Sequence, residues 1–589
     1  MKRGRQGRSV AVWITLLVTA LSVSAFSQQP QRYWITLRDR GPHAELSKMS
    51  AQALGISDHA LWRRAKVLPA DKLIDELDLP VNQAYLDQLQ AAGIKIRSTS
   101  RWFNAVSAEL TPIQQSTVSS LPFVASVGPV AVFVRHEPQI STSATTQSLW
   151  KQATTTDLSY GPSLTQLSNI NVVSLHKLGI NGAGVVIGML DNGFNHHNEH
   201  PALKNIKVIA EYDFVYRDST TNLLPGEYSD ALQDHGEGTL STIGGFDNGN
   251  LIGVAYGASF ILAKTEIDSS GQYADFRIEE DLYVAGLEWE ERLGAEIVSS
   301  SLGYNVFLDG PSYSYQDMNG QTATTTKAAR VAARKGVLLV TAMGNEGNYQ
   351  SGGSTGTLIA PADADSIVSV GAVLSDGRIA GFSSTGPTFD GRTKPEVVAQ
   401  GVSVYVAAGS GGYQYSSGTS FSTPLTAGVA ALVLSAHPTW TPMQVRDTLM
   451  KTAKALYDSA AGVAIHPNNF FGWGMVDALR AVKGSTVDSN GNPIIPTEFV
   501  LHNNYPNPFN GSTAIVVDAP TGQNMELAIY NLLGQKVRTI YKGISTPGTS
   551  TYYWRDGVDD ANNHVASGIY ICRLNVAGAA LSQKIVYVK

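Results

Sequence analysis

What constrains this chain most is an alternation. Between about Leu158 and Lys483, short apolar runs are interleaved with helical patterns. Val185-Val186-Ile187-Gly188-Met189-Leu190 reads as a buried strand by its β-branched run, and Ile297 to Ser301 and Val337-Leu338-Leu339-Val340 read the same way. Ala328 to Lys335 and Ser422 to Ala436 carry the spacing of helices. Buried strands that alternate with helices imply an α/β fold, a parallel sheet with helices on both faces.

The chain has 589 residues, more than one compact core usually holds. Gln31 to about Glu137 reads as a small α+β unit. Tyr33-Trp34-Ile35-Thr36-Leu37, Val106 to Leu110 and Phe123 to Val134 suit strands, and Asn82 to Ala92 suits a helix stopped by Gly93. A Ser-, Thr- and Gln-rich linker follows, Pro138 to Asp157, of a kind that stays open to proteolysis. Beyond a polar stretch, Gly484 to Pro496, the last hundred residues carry short alternating runs at Glu526 to Tyr530, Thr551 to Trp554, Ile569 to Leu574 and Lys584 to Val588. Gly, Pro and Asn punctuate them, the pattern of an all-β sandwich. The expected division is 1–27, 28–157, 158–485 and 486–589.

The N-terminus has the form of an export signal. Lys2, Arg3, Arg5 and Arg8 precede an apolar run from Val10 to Val23, and small residues follow at Ser24, Ala25 and Ser27. The run is shorter than the roughly 20 residues that span a bilayer, and no other stretch reads as a span, so a mature protein without a membrane segment is expected. The net charge of −6 gives no basic excess for nucleic acid or an anionic membrane. The single cysteine, Cys572, excludes an internal disulfide framework and reads as a packed strand residue.

Three polar residues stand out in the α/β region. Asp191 ends an apolar strand and precedes Asn192-Gly193, where open α/β sheets place their sites, although Asp-Asn-Gly alone reads as a turn. His235 lies in Asp234-His235-Gly236 at a helix start; alone, it would be a surface histidine. Ser420 lies in Ser417-Gly418-Thr419-Ser420-Phe421-Ser422-Thr423-Pro424, ahead of a long apolar helix. There it is either an N-cap or a nucleophile at the positive end of a helix. Together, in the order Asp, His, Ser, they form the set that acyl transfer needs: a weak nucleophile, a base to activate it and a carboxylate to hold the base.

Two further motifs compete. His196-His197-Asn198-Glu199-His200 matches the spacing of an inverted zinc motif, but it follows a strand end and precedes Pro201, where no helix can align the ligands. Gly352-Gly353-Ser354-Thr355-Gly356 matches a nucleophile elbow, but a polar loop stands where a strand is required. No metal ligand set is therefore expected.

From Leu158 to Lys483 the chain resembles the subtilisin family. The resemblance is carried by Val185 to Gly193, Asp234-His235-Gly236, Gly253 to Ala258, Ser300-Ser301-Leu302-Gly303, Ala342-Met343-Gly344-Asn345-Glu346-Gly347, Phe382 to Pro387, Lys394 to Ala399, Gly418 to Pro424 and Gly472 to Ala478. It implies a serine endopeptidase with Asp191, His235 and Ser420 as catalytic residues and the Asn345 amide in the oxyanion hole. It also implies that Ser300 to Gly303 and Ala342 to Gly344 are strands that line the substrate side chain and pair with extended substrate. Asn192 and Glu237-Gly238 depart from the family's pattern. No cofactor is implied for the chemistry; a structural calcium is compatible with the family, though no loop carries a run of oxygen ligands.

Gln31 to Glu137 is similar to the family's propeptides, which implies an inhibitor of its own protease, removed on maturation. Phe499 to Asn510, Ile529 to Val537 and Ser567 to Tyr570 resemble the sorting domain of type IX secretion cargo, which implies the type IX machinery as a partner and a secreted or surface location. Polypeptides are the implied substrates. The rival reading is a surface-binding or structural protein that keeps the scaffold without catalysis.

Overall fold

The computed structural model describes residues 31–41, 49–129, 158–227, 235–267, 277–306, 312–347, 355–456, 466–483 and, apart from 502–503, 505–506, 521, 546–547 and 577, residues 498–588. The export signal, the Ser/Thr linker and most of the Gly352–Gly356 motif lie outside these.

The apolar runs form one parallel sheet. Its order is Val397–Gln400, Val368–Val373, Leu338–Ala342, Ile297–Ser300, Val186–Asp191, Ser259–Lys264 and Lys207–Asp213. Successive side chains of a strand point to opposite faces, so each run feeds two cores. Ile187, Met189, Phe260, Leu262, Ile297, Leu338 and Val340 pack with Leu425, Val429 and Leu432 of the Thr419–Ala436 helix. Leu190, Ile261, Ala263, Val298 and Leu339 pack on the other face with Tyr283, Val284 and Leu287 of the Arg277–Leu293 helix and Ala328, Ala329 and Ala332 of the Thr324–Arg334 helix. The α/β expectation is met for this physical reason.

The Thr419–Ala436 helix is long and apolar enough to cross a membrane, although the sequence reading found no second stretch of that kind. Every one of its residues is buried in the protein, because it runs through the core against the sheet.

Before this unit stands an antiparallel sheet in the order Lys95–Ser100, Ala105–Leu110, Gln31–Leu37, Val124–Pro129, backed by the Gln83–Ala91 and Pro112–Ser119 helices. It docks on the Arg277–Leu293 helix: Trp102 joins the core of Tyr283 and Val284, and Glu288 accepts from the backbone N–H groups of Arg101 and Trp102 and from Ser100 Oγ. After it, two antiparallel sheets face each other, one of three strands (Val500–Leu501, Ser512–Ala519, Gly548–Arg555) and one of four (Lys536–Ile544, Asn524–Tyr530, Gly568–Val576, Ala579–Tyr587). Phe509, Trp554, Tyr570, Cys572 and Tyr587 fill the space between them.

Cys572 is fully enclosed, and burial pushes its thiol up to about 12. At pH 8 roughly one thiol in 10⁴ would be thiolate, the reactive form. The folded protein should therefore resist iodoacetamide at pH 8 and react once denatured. Labelling of the folded protein at the rate of a free thiol, followed by mass spectrometry, would contradict this burial.

Candidate active site

All strands of the central sheet run the same way, so their carboxyl ends share one edge. Asp191 ends the Val186–Asp191 strand there, with Ser300 and Ala342 ending neighbouring strands. Asp191 is completely buried. A buried carboxylate is tolerable only when donors surround it. Its Oδ1 accepts from the Asn192 N–H at 2.9 Å and meets His235 Nδ1 at 2.6 Å. Its Oδ2 accepts from Thr239 Oγ1 at 2.9 Å. A carboxylate against Nδ1 fixes the proton on that nitrogen and makes Nε2 the acceptor of the ring.

The His235–Gly244 helix brings His235 and Thr239 in from one face, since residues four apart lie one above the other. Gly236 makes the approach feasible. A Cβ there would lie 2.0 Å from the Gly193 carbonyl oxygen and 3.1 Å from Asp191 Cβ. Asn192, one of the departures from the family pattern, accepts from the Gly236 N–H through Oδ1 at 3.2 Å and ties the two segments together. Glu237, the other, is buried, and its Oε2 lies 3.2 Å from His196 Nδ1.

The helix after Gly418 starts earlier than its apolar pattern suggests. It spans Thr419–Ala436, so Ser420 is its second residue rather than a residue ahead of it. Pro424 is tolerated because the first-turn N–H groups need no helical partner. Gly418 holds φ +152°, and a Cβ on it would lie 3.7 Å from both Asn345 Nδ2 and the Ser420 N–H nitrogen. These two nitrogens thus lie about one point beside Gly418, where the backbone conformation favours glycine. The Asn345 amide is oriented by its oxygen, which accepts from the Thr419 N–H at 2.9 Å and Thr419 Oγ1 at 3.0 Å. Ser420 Oγ donates to the Ser301 carbonyl at 3.3 Å, and Ser301 Oγ donates to the Ser420 carbonyl at 2.7 Å. The His235 ring packs on Phe421, 5.6 Å between centroids. Asp191, His235, Ser420 and Asn345 are therefore gathered at one sheet edge.

The expected substrate strands are shorter than their sequence pattern. The Ile297–Ser300 and Leu338–Ala342 strands end where the motifs begin, so Ser301-Leu302-Gly303 and Met343-Gly344 run on beyond the sheet. Leu302 and Met343 are buried, and Gly344 holds φ +107°. A Cβ at Gly344 would lie 2.3 Å from Glu346 Oε2 and 2.8 Å from Ser384 Oγ. Glu346 accepts from Ser384 Oγ at 2.9 Å, which draws it toward that hydroxyl. Thr239 and Phe421 were not singled out from the sequence; only Thr239 carried a signal, its spacing of four from His235.

The His196–His200 motif does not converge. His196 sits at φ +57° beside Glu237, His197 Nδ1 meets the Phe194 carbonyl at 2.8 Å, and His200 Nε2 meets the Gly412 carbonyl at 2.8 Å. Burial lowers the pKa of His200. A carboxylate group that could approach a cation is Asp213, Asp218 and Glu227. The Lys264 ammonium already lies 2.8 Å from Asp213 and 3.4 Å from Glu227, so it meets part of that charge.

Comparison with known proteins matches three parts of the chain. The Subtilase family matches residues 182–474, the Peptidase S8 propeptide domain of Bacteroidota residues 32–148, and the secretion system C-terminal sorting domain residues 503–589. Subtilisin E of Bacillus subtilis (strain 168) is 34% identical over 320 residues, 54% of this chain and 70% of its own. Subtilisin of Bacillus pumilus is 34% identical over 320 residues, 54% of this chain and 98% of its own. Subtilisin DY of Bacillus licheniformis is 35% identical over 306 residues, 52% of this chain and 93% of its own. Such coverage defines a subtilisin-like serine endopeptidase. The chain belongs to the subtilase family, made with a propeptide domain ahead of the protease and a sorting domain for secretion or surface display behind it.

Thr239→Val removes one donor from the buried Asp191 and should lower the free energy of unfolding by about 1–3 kcal/mol. A urea titration followed by fluorescence measures it. An unchanged midpoint would mean that the carboxylate does not depend on Thr239.

Proposed function

We propose that this protein hydrolyses peptide bonds of extended polypeptides through Asp191, His235 and Ser420. His235 Nε2 takes the Ser420 proton as Oγ attacks the scissile carbonyl carbon. Asp191 holds the Nδ1–H tautomer and stabilises the imidazolium. The tetrahedral oxyanion is held between Asn345 Nδ2 and the Ser420 N–H, at the positive end of the helix. His235 then protonates the leaving amine, and water, activated by the same imidazole, resolves the acyl-enzyme. The substrate backbone lies along Ser300, Ser301, Leu302 and Gly303 on one side and Ala342, Met343 and Gly344 on the other, with its side chain between them.

The observation that carries this reading is the 2.6 Å contact between His235 Nδ1 and Asp191, with Thr239 and Asn192 completing the carboxylate's shell. The donors converging beside Gly418 support the oxyanion role. No step uses a cofactor, and a calcium ion, where one binds, serves the fold alone. An N-terminal signal directs the first export step and is removed; the sorting domain then directs passage across the outer membrane. The unit before the linker inhibits the protease until it is removed on maturation, which begins with a cut in the linker.

Ser420→Ala should abolish turnover of a peptide substrate by the matured protein, and Asn345→Ala should lower kcat by about 10²–10³ with KM little changed. Steady-state kinetics on freshly matured protein reads both. Activity that survives in Ser420→Ala would overturn the assignment.

A further inference from the structure

Residues 49–79 form a lobe beside the propeptide sheet, tied to it by Arg40 and Arg101. Leu54, Ile56, Ala60 and Leu79 form their own small core. The Asp58–Ala65 helix within this segment carries Arg63 and Arg64, both completely buried. A buried guanidinium is tolerable only where every donor is met and the charge is compensated.

The protease meets them at the ends of two of its helices. The Arg277–Leu293 and Thr324–Arg334 helices each stop near a glycine of positive φ, Gly294 at +107° and Gly336 at +90°. A helix C-terminus carries carbonyls without helical partners and a partial negative charge. Arg63 takes up both ends: Nη1 donates to the carbonyls of Glu291 at 2.9 Å and Ala295 at 2.7 Å, and Nε donates to the Lys335 carbonyl at 3.3 Å. Ser57 donates its N–H to the Arg292 carbonyl and its hydroxyl to the Leu293 carbonyl, each at 2.9 Å.

Charge pairs cross the same boundary. Glu291, itself fully buried, receives Arg63 Nη2 together with Arg64 Nε at 2.8 Å and Arg64 Nη2 at 2.7 Å. Arg64 is held for this by Asp78 of its own segment at 2.8 and 2.9 Å. Lys335 of the protease returns the contact, reaching Asp75 at 3.0 Å and Asp78 at 3.2 Å. A second pair, Lys66 with Glu296 at 3.0 Å, lies alongside. Gly294 and Gly336 leave room for the approach: a Cβ at Gly294 would lie 3.0 Å from His59, and one at Gly336 3.2 Å from the Arg63 carbonyl.

We infer that Arg63 and Arg64 form a clasp, seated in a socket of Glu291 and the two helix ends, that holds the propeptide on the protease after the linker between them is cut. The inference rests on the propeptide reading given above. The clasp is remote from Ser420 in its chemistry: it binds an arginine pair on a helix and needs no peptide in the cleft. Cleavage of the linker alone then leaves the propeptide in place, and release needs the clasp itself to be opened or degraded.

The test uses the full chain with Ser420→Ala, so that binding is read without any protease activity, and with a site for an exogenous specific protease inserted in the linker. After that cut, gel filtration at about 1 µM should keep the N-terminal fragment with the rest of the chain. Arg64→Ala, or Glu291→Gln from the protease side, should weaken the complex at least about 100-fold, the scale of an ion pair broken while its partner stays buried. Lys95→Ala, on an exposed strand position of the propeptide sheet, should retain the fragment as in the parent. Should Arg64→Ala fail to fold, Glu291→Gln gives the same reading from the other partner. Immediate separation of the cut parent, or retention by Glu291→Gln equal to the parent's, would overturn the clasp. Either result leaves the assignment of Ser420 standing, because turnover is measured on different protein.

Discussion

The site is organised around one buried carboxylate. Asp191 is placed at a strand end, without solvent, and its charge must be met by donors from elsewhere in the chain. Those donors are His235 and Thr239 from one turn of a helix and the N–H of Asn192. That requirement draws the His235–Gly244 helix down onto the sheet edge, to a distance that excludes any side chain at position 236. It sets the imidazole tautomer and turns the ring toward Phe421, next to Ser420. The rest of the site follows from the same edge: parallel strands end together, and the Thr419–Ala436 helix starts there with the Ser420 nitrogen beside Gly418.

The sequence was most legible where burial is simple. Val185 to Leu190 is apolar on both faces because helices cover both, and its end marks Asp191. The spacing of Asp191, His235 and Ser420 was readable because each motif carries the glycines that close approach demands. The Arg277–Leu293 helix was not readable. Glu279, Glu280, Asp281, Glu288, Glu290 and Glu291 are all buried on it, so its pattern of charge does not mark a wet face. Several of these carboxylates are met by another part of the chain, Glu288 by Ser100 and Glu291 by Arg63 and Arg64, and local periodicity carries no trace of partners far away in sequence. The start of the Ser420 helix was missed for a related reason: Thr419 and Ser420 read as a cap or loop, yet their hydroxyls are absorbed by Asn345 and by the Ser301 carbonyl.

The two faces of the molecule thus use charge differently. At the sheet edge a single buried carboxylate is insulated from solvent and bound to a histidine. Behind the sheet, carboxylates on a protease helix are buried under the propeptide and compensated across the boundary by arginine and lysine. On the two readings proposed above, this zymogen has separate devices for chemistry and for attachment. Glu296 illustrates the second: burial alone would raise its pKa, but Lys66 and His59 overcome this and hold it at about 2.

The central claim is that Asp191 and His235 activate Ser420. Its most direct measurement is the mass of the matured protein after reaction with a fluorophosphonate, with the adduct located by peptide mapping. One adduct on the peptide that contains Ser420, lost in His235→Ala, is the predicted result. No adduct on matured wild-type protein, or one that persists in His235→Ala at the same rate, would contradict the account.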